Sequence, residues 1–155
     1  MHENEALIRR FYAAFARSDG EGMVACYASD VAFSDPVFPD LKGARAAGMW
    51  RMLTQQATDL EIEASGITAD DHSGRAHWEA RYTFSATGRR VHNVIDARFV
   101  LRDGLIVRHD DEFDFWRWSR QALGVPGLLL GWTPLVRNKV RAQAGKALDR
   151  FLAKA

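Results

Sequence analysis

Apolar residues recur three and four positions apart over residues 3–18, where Leu7, Ile8, Phe11, Tyr12 and Phe15 mark one face of a helix. Ser18-Asp19-Gly20 breaks it, and Met23, Val24 and Tyr27 carry a short second helix from Glu21 to Ala28. Val31–Ser34 reads as a short strand closed by Asp35-Pro36, followed by a loop from Val37 to Gly43. A third helix is predicted from Ala44 to Ala57, with Ala47, Trp50, Met52 and Leu53 on its apolar side.

The period then changes to two. Leu60–Glu63 alternates, as does Arg75–Ser85 around Trp78, Tyr82 and Phe84. Thr87-Gly88-Arg89 is a turn, Val91–Leu101 a strand, Asp103-Gly104 a hairpin and Leu105–Phe115 the last strand. Three helices and a short strand followed by a four-strand meander predict an α+β domain, with helices covering one face of a curved sheet around a cone-shaped cavity. After Trp116 the pattern becomes helical again. Leu128–Trp132 is an apolar run, and Pro134 restarts a helix with Val136, Val140, Ala144, Ala147, Leu148 and Phe151 on one stripe. Residues 1–115 are therefore taken as the cone domain and 116–155 as a helical extension packing on it.

The 155 residues, 47% of them hydrophobic, suffice for one domain with a true core. The net charge of +1 hides an asymmetry: residues 1–115 hold 13 Lys+Arg against 19 Asp+Glu, and residues 116–155 hold 8 against one. An acidic body without a basic-aromatic strand platform argues against nucleic acid. The basic tail points to packing on the body or a partner subunit, with an anionic membrane surface as the sharper alternative. Cys26 is the one cysteine, which excludes an internal disulfide, and it reads as a buried apolar residue. The histidines and nearby acids form no metal motif, so neither metal nor cofactor is expected. With no secretory signal and no apolar run of spanning length, a soluble cytoplasmic protein is expected.

Two carboxyl groups carry the candidate chemistry. Asp96 interrupts the apolar run Val94–Leu101, where its charged form would be costly. Asp35 ends the first strand. Carboxyl groups in unlike environments divide the work of base and acid. His109 and Asp111 share one face of the last strand with Phe113, a spacing that fits either a base with an orienting carboxylate or a hydrogen-bonded core or interface histidine. If Asp96 faces the cavity, His92, Val94 and Arg98 share its face. For residues 75–85 two registers stay open: Trp78, Tyr82 and Phe84 face the cavity, or His77, Glu79 and Arg81 do.

The order of elements, with Tyr27–Val31, Phe33-Ser34-Asp35-Pro36, Val94-Ile95-Asp96 and Asp103-Gly104, resembles the nuclear transport factor 2-like superfamily, in its SnoaL-like and ketosteroid isomerase-like branch. The resemblance covers residues 5–115. It implies a cone-shaped fold and a homodimer formed through the outer sheet face. It also implies cofactor-free acid–base chemistry, with Asp35 as base and Asp96 as oxyanion or acid partner. His109 would assist. The tyrosine donor position of that pattern falls on Phe11, which has no hydroxyl, and Arg51 stands where another tyrosine is expected. Phe11, Tyr12, Tyr27, Phe33, Trp50, Asp111 and Phe113 are the residues implied to surround a small, partly apolar substrate. Isomerase, dehydratase, cyclase and epoxide hydrolase chemistry all fit this outline. A non-catalytic ligand-binding or dimerisation module, peripheral to a membrane through its tail, is the alternative.

Overall fold

The computed structural model describes residues 1–154. Helices α1 (Glu3–Ala16) and α2 (Gly20–Val24) precede strand β1 (Tyr27–Ser34), the two-residue β2 (Leu41–Lys42) and α3 (Ala44–Gln56). Strands β3 (Glu61–Ala69), β4 (Ser73–Phe84), β5 (Arg89–Arg102) and β6 (Leu105–Glu112) follow. Helices α4 (Phe115–Leu123), α5 (Val125–Leu130) and α6 (Pro134–Lys154) complete the described chain. The sheet runs β2-β1-β6-β5-β4-β3, antiparallel throughout except where β1 lies parallel to β6. This is the α+β architecture expected, with helices on one face of a mixed sheet.

The differences from expectation lie at the edges. β1 begins at Tyr27, four residues early, so the second helix is only five residues long. The loop after Asp35 contains β2, which the proline had hidden. β6 stops at Glu112 because Asp114 caps α4, its side chain accepting the Arg117 N–H at 3.1 Å. At Asp103-Gly104 both residues have positive φ, 54° and 76°, the tight hairpin the sequence called for.

Aromatic rings fill the space between α1, α3 and the sheet. Phe11 is fully buried, stacked on Tyr27 at 5.4 Å and edge-on to Trp50 and His109 at 5.7 and 5.5 Å. Such contacts add about 0.5–1.5 kcal/mol per pair to the area buried. Phe33, Phe99 and Ile95 join the same cluster. The apolar stripe of α6 is spent on the body: Leu148 is wholly buried, and Leu152 packs against α3 at Gly48, where a Cβ would collide with it. No helix among the described residues is long and apolar enough to cross a membrane.

Leu148→Ala should therefore cost about 2–4 kcal/mol through the cavity it leaves. Urea unfolding of the full chain would show this as a lower midpoint. An unchanged midpoint would mean that α6 is not anchored there.

Candidate active site

A cavity of about 410 Å³ opens between the sheet, α3 and the tail. That volume lies within the range of small-molecule sites. Its wall is aromatic and aliphatic, with Phe15, Trp50, Trp78, Ile95, Phe113 and Trp118 among the contributors, and Ala144 brings α6 to it. Four polar side chains enter this apolar wall: Asp35, Tyr82, Asn93 and Asp111. Gln56, Thr58, Asp59 and Ser85 also line it but are exposed, and with half-buried Thr83 they mark its open end.

Asp35 sits where β1 gives way to the loop. One carboxylate oxygen, Oδ1, accepts the backbone N–H groups of Val37 and Phe38 at 2.7 and 2.6 Å. No donor among the described residues reaches the other. Burial pushes the carboxyl up to about 7. The Phe38 N–H pulls against that shift, the charge of Asp111 adds to it, and the Val37 N–H and Arg141 oppose it. Arg141, on α6, donates from Nε to the Pro36 carbonyl at 2.8 Å, so the tail braces the turn that holds the acid.

Asp111 is held by a hydrogen-bonded line through the core. Trp50 Nε1 donates to the Tyr27 hydroxyl at 2.8 Å, and that hydroxyl lies 2.7 Å from His109 Nδ1. His109 Nε2 is 2.8 Å from Asp111 Oδ1, which also accepts Trp78 Nε1 at 3.3 Å. Burial raises the Tyr27 pKa well above its ordinary value, so the phenol keeps its proton. That hydroxyl thus accepts from Trp50 and pairs with His109 Nδ1, while His109 Nε2 pairs with Asp111. The second oxygen of Asp111 accepts from no side chain among the described residues.

Tyr82 and Asn93 complete the polar set. Trp118 Nε1 donates to the Tyr82 hydroxyl oxygen at 2.8 Å, which leaves the phenolic proton to be given elsewhere. Burial raises the Tyr82 pKa, and the charge of Asp35 raises it further. Tyr82 is thus a protonated donor close enough to Asp35 to sense it. Asn93 is 9% exposed, faces the cavity and makes no side-chain hydrogen bond among the described residues.

Of the residues singled out from the sequence, Asp35, Trp50, Asp111 and Phe113 line the cavity. Phe11, Tyr12, Tyr27 and Phe33 lie behind its wall as buried core, not in it. His109 is fully buried and reaches the cavity only through Asp111. Asp96 requires a correction. Val91, Asn93, Ile95, Ala97, Phe99 and Leu101 form the buried side of β5, so the strand's alternation turns Asp96 outward. Its side chain is 77% exposed and bonds His77 Nδ1 at 3.0 Å, beside the Glu79–His92 pair on the outer face. The second acid of the cavity is Asp111. The register left open for β4 resolves as Trp78, Tyr82 and Phe84 inward.

Reasoning from sequence missed Asn93 and left Tyr82 in one of two open registers, with no role assigned to its hydroxyl. The signal for Asn93 was present: it is the one polar member of an otherwise apolar set of alternate residues. Tyr82 needed the position of Trp118, which no local pattern gives.

Residues 8–109, more than half the chain, match the model of the SnoaL-like domain. No curated protein sequence matches it. Solved structures share the fold at low identity. One is an NTF2-like protein of unknown function from Burkholderia pseudomallei, at 19% identity and TM-score 0.67 over 78% of this chain and 98% of that one. Another is an LEH-like epoxide hydrolase from M. tuberculosis, at 21% identity and TM-score 0.65 over 82% and 95%. A third, named as a SnoaL-like polyketide cyclase from Jannaschia, aligns at 12% identity and TM-score 0.68 over 80% and 93%.

The raised Asp35 pKa carries a stability cost with a definite sign. Between the unfolded value near 4 and the folded value of about 7, the native state holds a proton the unfolded chain has lost. Stability therefore falls as pH rises through that window. Asp35→Asn escapes the penalty and should be more stable than wild type at pH 8, by on the order of 2–4 kcal/mol, with little difference at pH 4. Thermal melts at the two pH values measure it.

Proposed function

The chain belongs to the SnoaL-like family, and on that footing we propose that it is a small-molecule enzyme working by general acid–base chemistry in this cavity. Asp35 takes a proton from carbon next to a carbonyl, or from a hydroxyl or water, on a partly apolar substrate. The observation that carries this reading is a carboxyl group of pKa about 7, one oxygen anchored and one unpartnered, in an aromatic cavity. A base poised near neutral pH balances availability against strength.

The Tyr82 hydroxyl and the Asn93 amide are the donors for the substrate oxygen that gains negative charge. Both present unspent N–H or O–H groups within a wall of low polarity, where such bonds are strongest. Tyr82 thereby supplies from β4 the hydroxyl that Phe11 lacks on α1. Asp111, fixed by His109 and Trp78, keeps the Asp35 proton affinity high and offers a second acceptor for a substrate hydroxyl. Isomerisation, dehydration, ring closure and epoxide opening all draw on this set. The fold neighbours named as a polyketide cyclase and an epoxide hydrolase support this breadth of chemistry.

The test is a panel of β,γ-unsaturated ketones and epoxides of ring-bearing substrates, followed by ultraviolet absorbance and mass spectrometry. Wild type should turn over at least one class, with kcat/KM rising to a plateau above pH 7. Asp35→Asn should lose roughly 10²–10⁴-fold in kcat, and Tyr82→Phe about 10²-fold. Asp96→Asn, on the outer face, should stay within about twofold. Full activity in Asp35→Asn overturns the assignment. Tight binding across the panel without turnover by wild type would identify a carrier rather than an enzyme.

A further inference from the structure

Six large apolar side chains within eleven residues of the tail lie open to solvent. Val125, Leu128, Leu129, Leu130, Trp132 and Leu135 are 45–71% exposed. Local packing drives them outward. Gly127 and Gly131, one helical turn apart, face α4, where a Cβ on either would overlap Ser119. With the glycine side of α5 committed to α4, the leucines take the opposite side.

The backbone carbonyls at this knuckle are unusually well satisfied. Trp116 Nε1 donates to the Leu128 carbonyl at 3.1 Å, and Trp132 Nε1 donates to that of Leu129 at 3.0 Å. The Thr133 N–H and hydroxyl both donate to that of Leu130. Water would satisfy these groups at no cost on a free surface. In an apolar phase each would need such an internal partner.

Charge completes the surface. On α6, Lys139, Lys146 and Arg150 recur at intervals of seven and four, so they share one stripe with Leu135 on the side opposite buried Leu148. The single acid of the tail, Asp149, is held by Arg45 of α3 at 2.8 Å. The rest of the chain is net acidic.

We propose that α5 and the outer face of α6 dock on an anionic phospholipid bilayer. The Leu128–Trp132 knuckle enters the headgroup region and the basic stripe lies along the surface. An apolar insertion beside a row of cations is what an interfacial attachment requires. From the sequence, both the apolar stripe of the last helix and Leu128–Trp132 are candidates for a membrane or dimer contact; the stripe packs on the body, and the knuckle is left exposed.

Co-sedimentation of the full chain with vesicles of equal parts phosphatidylcholine and phosphatidylserine tests this. Wild type should pellet with them, not with pure phosphatidylcholine, and be released at high salt. Leu129→Glu with Trp132→Glu should abolish pelleting. Exchanging Lys139, Lys146 and Arg150 for Gln should weaken it roughly a hundredfold, each cation near such a surface contributing about fivefold. These side chains are exposed, so circular dichroism and melting should be unchanged. Absence of pelleting by wild type overturns the proposal, as does equal pelleting on both vesicle types. A dimer in sedimentation velocity that the double Glu variant dissociates, with no vesicle binding, would assign the knuckle to a second copy instead.

Discussion

The cavity depends on the hydrogen-bonded line Trp50–Tyr27–His109–Asp111–Trp78. Its members come from α3, β1, β6 and β4, so one chain of polar contacts ties the covering helix to three strands. Asp111 is the shared acceptor of His109 and Trp78, and His109 is wholly buried. Removing an inner member leaves its neighbours without partners in an apolar setting, at about 1–3 kcal/mol each. The arrangement also fixes orientation, because both imidazole nitrogens are engaged, Nδ1 with Tyr27 and Nε2 with Asp111. The surrounding rings, with Phe99 only 4.4 Å from His109 between centroids, exclude water from the imidazole.

Asp35 works against that background. Its turn supplies two N–H donors that favour the carboxylate, yet burial and Asp111 outweigh them. The group is thus less stable in its place than a neutral side chain would be. Proteins commonly accept such a penalty at functional positions. In this chain the penalty is confined to one atom, since Oδ1 is satisfied twice while Oδ2 is left to the cavity.

Much of the fold was legible because the helical and strand periods are strong where burial is one-sided. α1, α3 and the meander follow directly from the spacing of Leu7, Phe11, Phe15 and Trp50 and from the alternation after residue 60. The site was legible in part. Asp35 stands out beside Pro36, and the His109–Asp111 pair by its spacing. Asp96 misled because Val94 and Val100, which lie on the outer side of β5, made the strand look apolar on both faces. Taken as alternate sets, Val91, Asn93, Ile95, Ala97, Phe99 and Leu101 are the continuous face, and Asp96 belongs with His92, Arg98 and Arg102. Tyr82 depended on tertiary contact with α4, and β2 on pairing with β1 across a proline-bearing loop. Neither arises from a local period.

α6 has its back to the site and its front to the surroundings. On one side Arg141 grips the Pro36 carbonyl and Ala144 completes the cavity wall; on the other lies the basic stripe. A single rigid rod thus reports to both. Any force that slides or tilts it displaces the brace on the Asp35 turn and alters the room available inside. The same twenty-one residues of helix thus complete the cavity on one side and face the surroundings on the other.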